Sequence, residues 1–180
     1  GAEPWHVYDQ LDYIQGLVPF PVYTVMESGG LEKSILESLK NGKDKEGRFA
    51  SAPFYTESVN GKGMLMRQCT QEFKIKPIQQ KIRQLMGLEK GQRGPKEVAV
   101  SQWIGISMDE AHRMKPHRTP WIENRWPLIE KGMHRYHCLQ WMEEHEHPKP
   151  GKSACYFCPY HDDKTWKLLK DTDQDSFDLA

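Results

Sequence analysis

The chain has 180 residues, of which 37% are hydrophobic and 28% are charged, and its formal net charge at pH 7 is zero. This length is enough for one well-buried core and leaves little room for two full domains. The balanced charge gives no global electrostatic reason to expect nucleic acid or a membrane as a partner, and no apolar run approaches the roughly 20 residues of a membrane span. The four cysteines are unevenly spaced and no secretory signal is evident, so we expect a cytoplasmic protein with metal or thiol chemistry rather than a disulfide scaffold.

The first part of the chain predicts the order helix, strand, helix. Apolar side chains recur at helical spacing over residues 7–18, and Pro19 ends this helix. The β-rich run 20–26 is predicted to be a buried strand. The Ser-Gly-Gly sequence at 28–30 then leads into a second helix; it resembles a phosphate cradle, but an ordinary strand-to-helix turn is the favoured interpretation. Residues 41–67, rich in Gly, Lys, Ser and Asn, predict a long loop.

The second part of the chain continues this alternation. The predicted elements are, in order, a helical stretch over 69–86 with a new segment at Pro77, a strand over 98–106, a helix start at 107–110, a basic loop over 112–118, an extended piece over 121–129, a helix over 135–145 and a last helix capped by Asp162. Helices that alternate with strands in this way are typical of an α/β layered fold.

The strongest local motif is the pair Cys155 and Cys158, which is followed at once by Pro159. Two cysteines at this spacing can turn both sulfurs toward one point, which suits a metal ion, an iron–sulfur cluster or a redox disulfide. The other two cysteines, Cys69 and Cys138, are far away in sequence. If the fold brings all four together, they make a tetrathiolate site. Otherwise Cys69 and Cys138 are ordinary buried thiols.

His161 follows the second cysteine of this motif by three residues. An imidazole at this place can act as an alternative metal ligand or can support a ligand through a hydrogen bond. The simpler interpretation is an exposed side chain, and the sequence alone leaves all three open.

A basic cluster lies in the second half of the chain and contains Arg113, Lys115, His117 and Arg118. Such side chains hold phosphate or sulfate groups through charge-assisted hydrogen bonds. Lys74, a few residues after Cys69, has the same capacity. The alternative for each of these residues is a solvated basic face, which is the default without geometry.

Five segments taken together form an ordered set of motifs. They are Gly-Ala-Glu-Pro at 1–4, Cys-Thr-Gln-Glu-Phe-Lys-Ile-Lys-Pro at 69–77, Ile-Gly-Ile-Ser-Met-Asp-Glu-Ala-His-Arg at 104–113, Trp-Pro-Leu-Ile at 126–129 and Ser-Ala-Cys-Tyr-Phe-Cys-Pro at 153–159. This set resembles the phosphoadenosine phosphosulfate reductase family of the adenine nucleotide alpha hydrolase-like superfamily, especially its phage and bacterial members of unassigned substrate. The resemblance spans nearly the whole chain.

The resemblance implies an α/β, Rossmann-like fold with a mainly parallel sheet flanked by helices and incomplete at its N-terminal strand. We expect a single domain over 1–180, with an α/β core at about 1–134 and a C-terminal helical region with the Cys-x-x-Cys motif at about 135–180. The family's nucleotide-binding loop, Ser-Gly-Gly-x-Asp-Ser, is expected before the position matched by Gly1. The internal motif at 28–30 has the wrong spacing for that loop.

The same resemblance implies a metal centre. Cluster-bearing members of the family have a Cys-Cys pair before Arg-Lys and a proline, and then a distant Cys-x-x-Cys motif. Cys69 matches the first cysteine of that pair, whereas Thr70 stands at the second. Relatives that act in DNA phosphorothioation spread their cysteines around a [4Fe–4S] cluster, which makes Cys138 the substitute ligand. The implied ligands are thus Cys69, Cys138, Cys155 and Cys158, with a [4Fe–4S] cluster as the expected cofactor and zinc as the alternative.

The implied function is binding of an adenine nucleotide or sulfonucleotide, with sulfur-transfer or redox chemistry. Lys74, Arg113 and Arg118 would supply positive charge to its phosphate or sulfate groups. No cysteine follows Cys158, so the catalytic cysteine of the reductases is absent and sulfonucleotide reduction is not expected. The alternative is a non-catalytic module with a structural metal site that binds a partner protein or a second copy of the chain.

Overall fold

The computed structural model describes residues 2–27, 29–41, 52–58 and 61–180. These residues combine helices with two small sheets, one antiparallel and one parallel, which agrees with the predicted mixture of helix and strand. The chain divides into two compact units. The first unit contains Gly1–Leu85 and Gly151–Ala180, and the second contains Met86–Pro150. These boundaries differ from the predicted subdivision near residue 134, and the single domain and the larger Rossmann-like sheet stay predictions.

The first unit opens with two helices that the apolar spacing predicts. Helix α1 spans Trp5–Leu17, after Pro4 at its N-cap position. Val18 is the C-cap residue, and its N–H still donates to the carbonyl of Ile14 at 3.2 Å. The last helical hydrogen bond therefore comes directly before Pro19, where the sequence predicts the helix to end. Helix α2 spans Gly30–Asn41. Its Ile35 is buried.

The predicted strand at 20–26 is wrong. Residues 21–27 have no regular secondary structure, and Phe20, Tyr23 and Met26 are exposed. A β-rich segment becomes a strand only where a neighbouring backbone pairs with it. In the described part of the chain, no strand pairs with this segment.

The predicted loop at 41–67 also needs correction. Strand β1, Tyr55–Ser58, pairs antiparallel with strand β2, Gly61–Met64, and Tyr55 lies opposite Met64. The loop residues at 42–51 and 59–60 lie outside the described ranges. A β-hairpin therefore replaces part of the expected loop.

The predicted helical stretch after this hairpin is confirmed. A π-helical turn spans Gln71–Ile75, and helix α3 continues as Lys76–Leu85. Pro77 is buried in the first turn of α3, directly after the π-helical turn. The helical residues therefore run on without a break, and the predicted new segment begins at the change from π-helix to α-helix.

The C-terminal helices complete the first unit. Asp162 caps helix α6, Asp163–Thr172, because its Oδ1 accepts from the N–H of Thr165 at 2.8 Å, as the sequence predicts. Helix α7 spans Gln174–Asp178. The core of this unit is formed by Ala2, Tyr156 and Leu169, with Cys155, Phe157, Trp166 and Phe177 packed around them.

The second unit is built on a parallel pair of strands. Its elements are β3 at Val100–Trp103, a 3-10 helix at Met108–Arg113, β4 at Ile122–Arg125, α4 at Pro127–Glu130 and α5 at Arg135–Glu144. Val100 lies opposite Ile122 in the sheet, and both Trp121 and Ile122 are buried. Strand β3 is shorter than the strand predicted at 98–106. Helix α5 agrees with the predicted helix at 135–145 to within one residue.

None of the helices in the described ranges has the length and apolar character that a membrane crossing requires.

Candidate metal centre

The beginning of the chain lies against the loop that carries the Cys-x-x-Cys motif. The N–H of Tyr156 donates to the carbonyl of Ala2 at 2.9 Å. The hydroxyl of Ser153 donates to Oε2 of Glu3 at 3.1 Å. Because Ala2 and Tyr156 are also buried together in the core, this segment holds the loop in place next to its first cysteine.

The loop itself makes two successive turns. The N–H of Cys158 donates to the carbonyl of Cys155 at 2.9 Å, and the N–H of His161 donates to the carbonyl of Cys158 at 3.1 Å. Each is the bond between the first and fourth residue of a β-turn. Cys155, Cys158 and His161 are therefore placed at the ends of consecutive turns.

The hairpin of the first unit packs on this loop. The ring centroids of Phe54 and Phe157 are 6.1 Å apart, and the hydroxyl of Tyr160 lies 3.4 Å from the sulfur of Met64. These contacts cover the loop on the side of β2, so the hairpin that sequence analysis missed contributes to the surroundings of the motif.

Cys69 and the Cys-x-x-Cys motif belong to the same unit. Burial, and after it the carboxylate of Glu3, raise the pKa of Cys155 to about 11, and the amine of Lys74 opposes this rise. The thiols of Cys158 and Cys69 add smaller contributions in the same direction. Cys69 thus lies within electrostatic range of Cys155 despite the long stretch of sequence between them.

The neighbours of Cys155 explain this local charge balance. Nζ of Lys74 lies 3.4 Å from Oε1 of Glu3, and the side chain of Glu3 is 18% exposed whereas that of Lys74 is 56% exposed. Lys74 lies in the π-helical turn, five residues after Cys69 in the sequence. The predicted phosphate-binding residue Lys74 therefore already has a carboxylate partner. Sequence analysis did not single out Glu3, and no local motif identifies it.

His161 is half-buried, and its two ring nitrogens are the part of the side chain that is shielded. Neither Nδ1 nor Nε2 has a hydrogen-bond partner within the described part of the chain, and both are shielded from solvent. The ring lies 4.9 Å from that of Trp166 between centroids. Burial lowers the pKa of His161, the charge of Lys152 lowers it further, and Asp162 and Glu3 oppose this shift. The neutral imidazole, which is the form that ligates metals, is therefore favoured.

The thiols of Cys69, Cys155 and Cys158 fit a metal site by residue type, but not by arrangement. In the part of the chain that the structure covers, no three side chains of His, Cys, Asp or Glu are arranged to hold a metal ion directly. Metal ions bind thiolates and neutral imidazoles, which Cys69, Cys155, Cys158 and His161 can supply. Binding would require these side chains to move toward a common point.

The fourth predicted ligand belongs to the second unit. Cys138 is a half-buried free thiol in α5, and its N–H lies 3.4 Å from the carbonyl of His134. Its inclusion in the same site as Cys69, Cys155 and Cys158 stays a prediction.

The predicted basic residues of the second unit lie on its surface. Arg113 forms an ion pair with Glu110, and Arg118 is exposed. The carbonyl of Lys115 accepts a hydrogen bond from Asn124 at 2.9 Å, which ties the basic loop to β4. Their role in binding a phosphate or sulfate group stays a prediction.

Asp109 organises the second unit, although sequence analysis treated it only as part of a helix start. Its Oδ2 accepts from the N–H of Arg135 at 2.6 Å and from the hydroxyl of Ser107 at 3.2 Å. Its Oδ1 lies 3.1 Å from Nδ1 of His134. These hydrogen bonds lower the pKa of Asp109 to about 2. The bond from Arg135 makes the largest contribution, and the bond with His134 makes the next largest. No sequence signal joins residues so far apart.

The Ser-Gly-Gly turn is described only in part, because Ser28 lies outside the ranges given above. Gly29 and Gly30 have φ values of 84° and 71°, which side chains with a Cβ rarely adopt. The turn leads directly into α2, so the two glycines serve the start of this helix. The strand predicted before this turn, at 20–26, did not form, as described above.

Comparisons of the chain with protein-family models, with curated proteins and with solved structures give no match. The resemblance to the phosphoadenosine phosphosulfate reductase family therefore stays a prediction from the sequence motifs.

Proposed function

We propose that this chain is a phosphoadenosine phosphosulfate reductase-like domain that binds an adenine nucleotide or sulfonucleotide and carries a cysteine-ligated metal centre. The single observation that supports this best is that Glu3 contacts both Lys74, five residues after Cys69, and Ser153, two residues before Cys155. The family motif pairs a cysteine at the position of Cys69 with the distant Cys-x-x-Cys motif, and a chance arrangement of free thiols gives no reason for them to meet.

The proposed fold is α/β and Rossmann-like, with a mainly parallel sheet. The parallel pairing of β3 with β4 supports this proposal, because parallel strands in a sheet are connected by crossovers that usually contain helices. The 3-10 helix lies in the connection between these two strands.

The proposed ligands are Cys69, Cys155 and Cys158, with Cys138 as the fourth. When bound, a [4Fe–4S] cluster would supply one-electron chemistry, whereas zinc would supply a structural crosslink or a Lewis acid. The surrounding residues of this chain have a separate role. Burial favours the protonated thiol of Cys155, so metal binding must displace that proton.

The proposed nucleotide site uses Lys74, Arg113 and Arg118. Arginine suits the fork-shaped recognition of phosphate and sulfate, and lysine supplies a compact positive charge. Arg113 and Lys74 are held by Glu110 and Glu3, so a bound anion would have to compete with these carboxylates.

That competition favours a second candidate function, a non-catalytic module in which the metal centre is structural. Both paired cations are already neutralised by carboxylates. In this case the domain would bind a partner protein or a second copy of the chain through surfaces that the metal holds in place.

The test is metal and sulfide analysis, with a visible spectrum, of protein purified without oxygen. The [4Fe–4S] form predicts broad visible absorption with iron and sulfide in equal amounts. A colourless protein with one zinc ion per chain would favour the structural module. A fully folded protein with neither metal, even after reconstitution, would overturn the proposed metal centre.

A further inference from the structure

We infer that a cleft between the segment 22–26 and helix α3 binds an extended, acidic peptide segment of another protein. The peptide would add to residues 22–26 as a β-strand, and the amine of Lys81 would bind one of its carboxylates. This inference goes beyond the proposed function, because it needs neither the metal centre nor the nucleotide site. All residues that line the cleft belong to the first unit.

The cleft is open to solvent and has a volume of about 580 Å³. It is lined on one side by residues 22–26 and on the other by Pro77, Gln80, Lys81 and Gln84 of α3. This volume lies within the range of protein sites that bind ligands. The cleft therefore has room for a few residues of a peptide along the segment 22–26.

The backbone on one side of the cleft is free to pair. Residues 21–27 contain no helix, turn or bend, so the segment runs without a sharp change of direction. Within the described part of the chain, the backbone N–H and C=O groups of residues 22–25 have no hydrogen-bond partner. The segment is also rich in β-branched and aromatic residues, which fit a strand. An added strand would satisfy the groups that face it, and this is a common mode of peptide recognition.

The charge of the cleft selects an acidic peptide. Lys81 is half-buried, its Nζ lies 4.0 Å from the ring centroid of Tyr23, and it donates to Oε1 of Gln84 at 3.2 Å. No carboxylate of the described residues forms an ion pair with it, whereas Lys76 in the same helix is paired with Glu27 at 3.7 Å. Because an ammonium group has three donors, Lys81 can bind a carboxylate and keep the contact with Gln84.

The apolar side chains beside Lys81 define the rest of the peptide. Tyr23 is 49% exposed and Met26 is 66% exposed, and both line the cleft. An added strand can cover these side chains with its own apolar residues. The expected peptide thus has β-branched or aromatic residues on both sides of its acidic residue.

The first test is a selection of random peptides of about seven residues, the length of an ordinary strand, displayed on phage. The wild-type chain and Lys81→Glu are used as separate targets. The expected result is enrichment of acidic peptides on the wild type and of basic peptides on Lys81→Glu, with β-branched or aromatic neighbours in both sets. No enrichment, or the same charge preference on both targets, would overturn the inference.

The second test measures the selected acidic peptide, in synthetic form, by fluorescence anisotropy. Lys81→Glu should weaken its binding by at least about tenfold, because a charge-assisted hydrogen bond is replaced by repulsion. Neighbouring N–H groups of an extended chain point to opposite sides, so one of Thr24→Pro and Val25→Pro should remove a donor to the peptide. That variant should bind at least about tenfold more weakly than the matched alanine variant. Full binding in both proline variants would overturn the inference.

Two controls complete the experiment. Circular dichroism checks that each variant folds, and a peptide methylated at its backbone nitrogens replaces any proline variant that does not. This peptide should not bind, and full binding of it would exclude strand addition. Analytical ultracentrifugation detects self-association of the wild-type chain. A dimer that dissociates in Lys81→Glu would assign the cleft to a second copy of the chain and would overturn the inference.

Discussion

Glu3 and Lys74, which are 71 residues apart in the chain, form an ion pair with 3.4 Å between Oε1 and Nζ. The other carboxylate oxygen of Glu3 accepts a hydrogen bond from the hydroxyl of Ser153. One carboxylate thus joins the start of the chain, the π-helical turn after Cys69 and the loop before Cys155. These are the segments that carry the candidate metal ligands of the first unit.

Removing the carboxylate should destabilise this unit more than removing the amine. Glu3→Ala loses both contacts of a side chain that is only 18% exposed, and we expect a loss of about 1–2 kcal/mol in the free energy of unfolding. Lys74→Ala loses one exposed partner and should cost less than about 1 kcal/mol. Urea denaturation of both variants measures the difference, and equal effects would contradict the role given to Glu3.

Two adjacent leucines in α6 test the core of the first unit. Leu169 is 6% exposed and Leu168 is 61% exposed. Leu169→Ala leaves a cavity beside Ala2 and Tyr156 and should lower the free energy of unfolding by about 2–5 kcal/mol. Leu168→Ala, the matched control, should change it by less than about 0.5 kcal/mol. A similar loss in both variants would mean that this face of α6 is not the buried one.

The stability of the second unit should depend on pH through Asp109. Its pKa falls from 3.8 to about 2 in the folded chain, so the stabilisation is complete above about pH 4 and is lost as the pH falls toward about 2. Asp109→Asn should be less stable than the wild type at neutral pH and should show a shallower decline in that acid range.

Unfolding curves across this acid range measure the effect of Asp109. Glu97→Gln, a change of an exposed residue in the same unit, is the control and should follow the wild-type curve. A wild-type decline that persists unchanged in Asp109→Asn would assign the acid sensitivity to another group.

The proposed nucleotide site predicts opposite effects for the two members of one ion pair. Arg113→Ala should weaken binding of a phosphoadenosine ligand by about tenfold, because a charge-assisted hydrogen bond is lost. Glu110→Gln should strengthen it, since the carboxylate that holds Arg113 is removed. Titration calorimetry measures both, with Lys131→Ala as the exposed control. Unchanged affinity in Arg113→Ala would count against this site.

Helices with clear apolar spacing or caps were predictable from the sequence. The helix over 7–18 and the Asp162 cap agree with α1 and α6, because local spacing and a side-chain hydrogen bond decide both. The strand at 20–26 failed because its β propensity depends on a distant partner. The hairpin was missed because its strands are short and polar, although the sequence Asn60-Gly61 is a known hairpin signal.

The candidate site was predictable only in part. The Cys-x-x-Cys motif is local and was found directly, whereas the approach of Cys69 to Cys155 was expected only from the family resemblance. The carboxylate of Glu3 and the unpartnered nitrogens of His161 depend on contacts between distant segments. Spacing and composition do not encode such contacts.

The central claim is that Cys69 shares one metal centre with the Cys-x-x-Cys loop. The most direct measurement is the metal content of Cys69→Ser, purified without oxygen beside the wild type. We expect the wild-type chain to hold its metal and the variant to lose at least about nine-tenths of it, because one of four ligands is gone. A folded Cys69→Ser chain with a full complement of metal would contradict the claim.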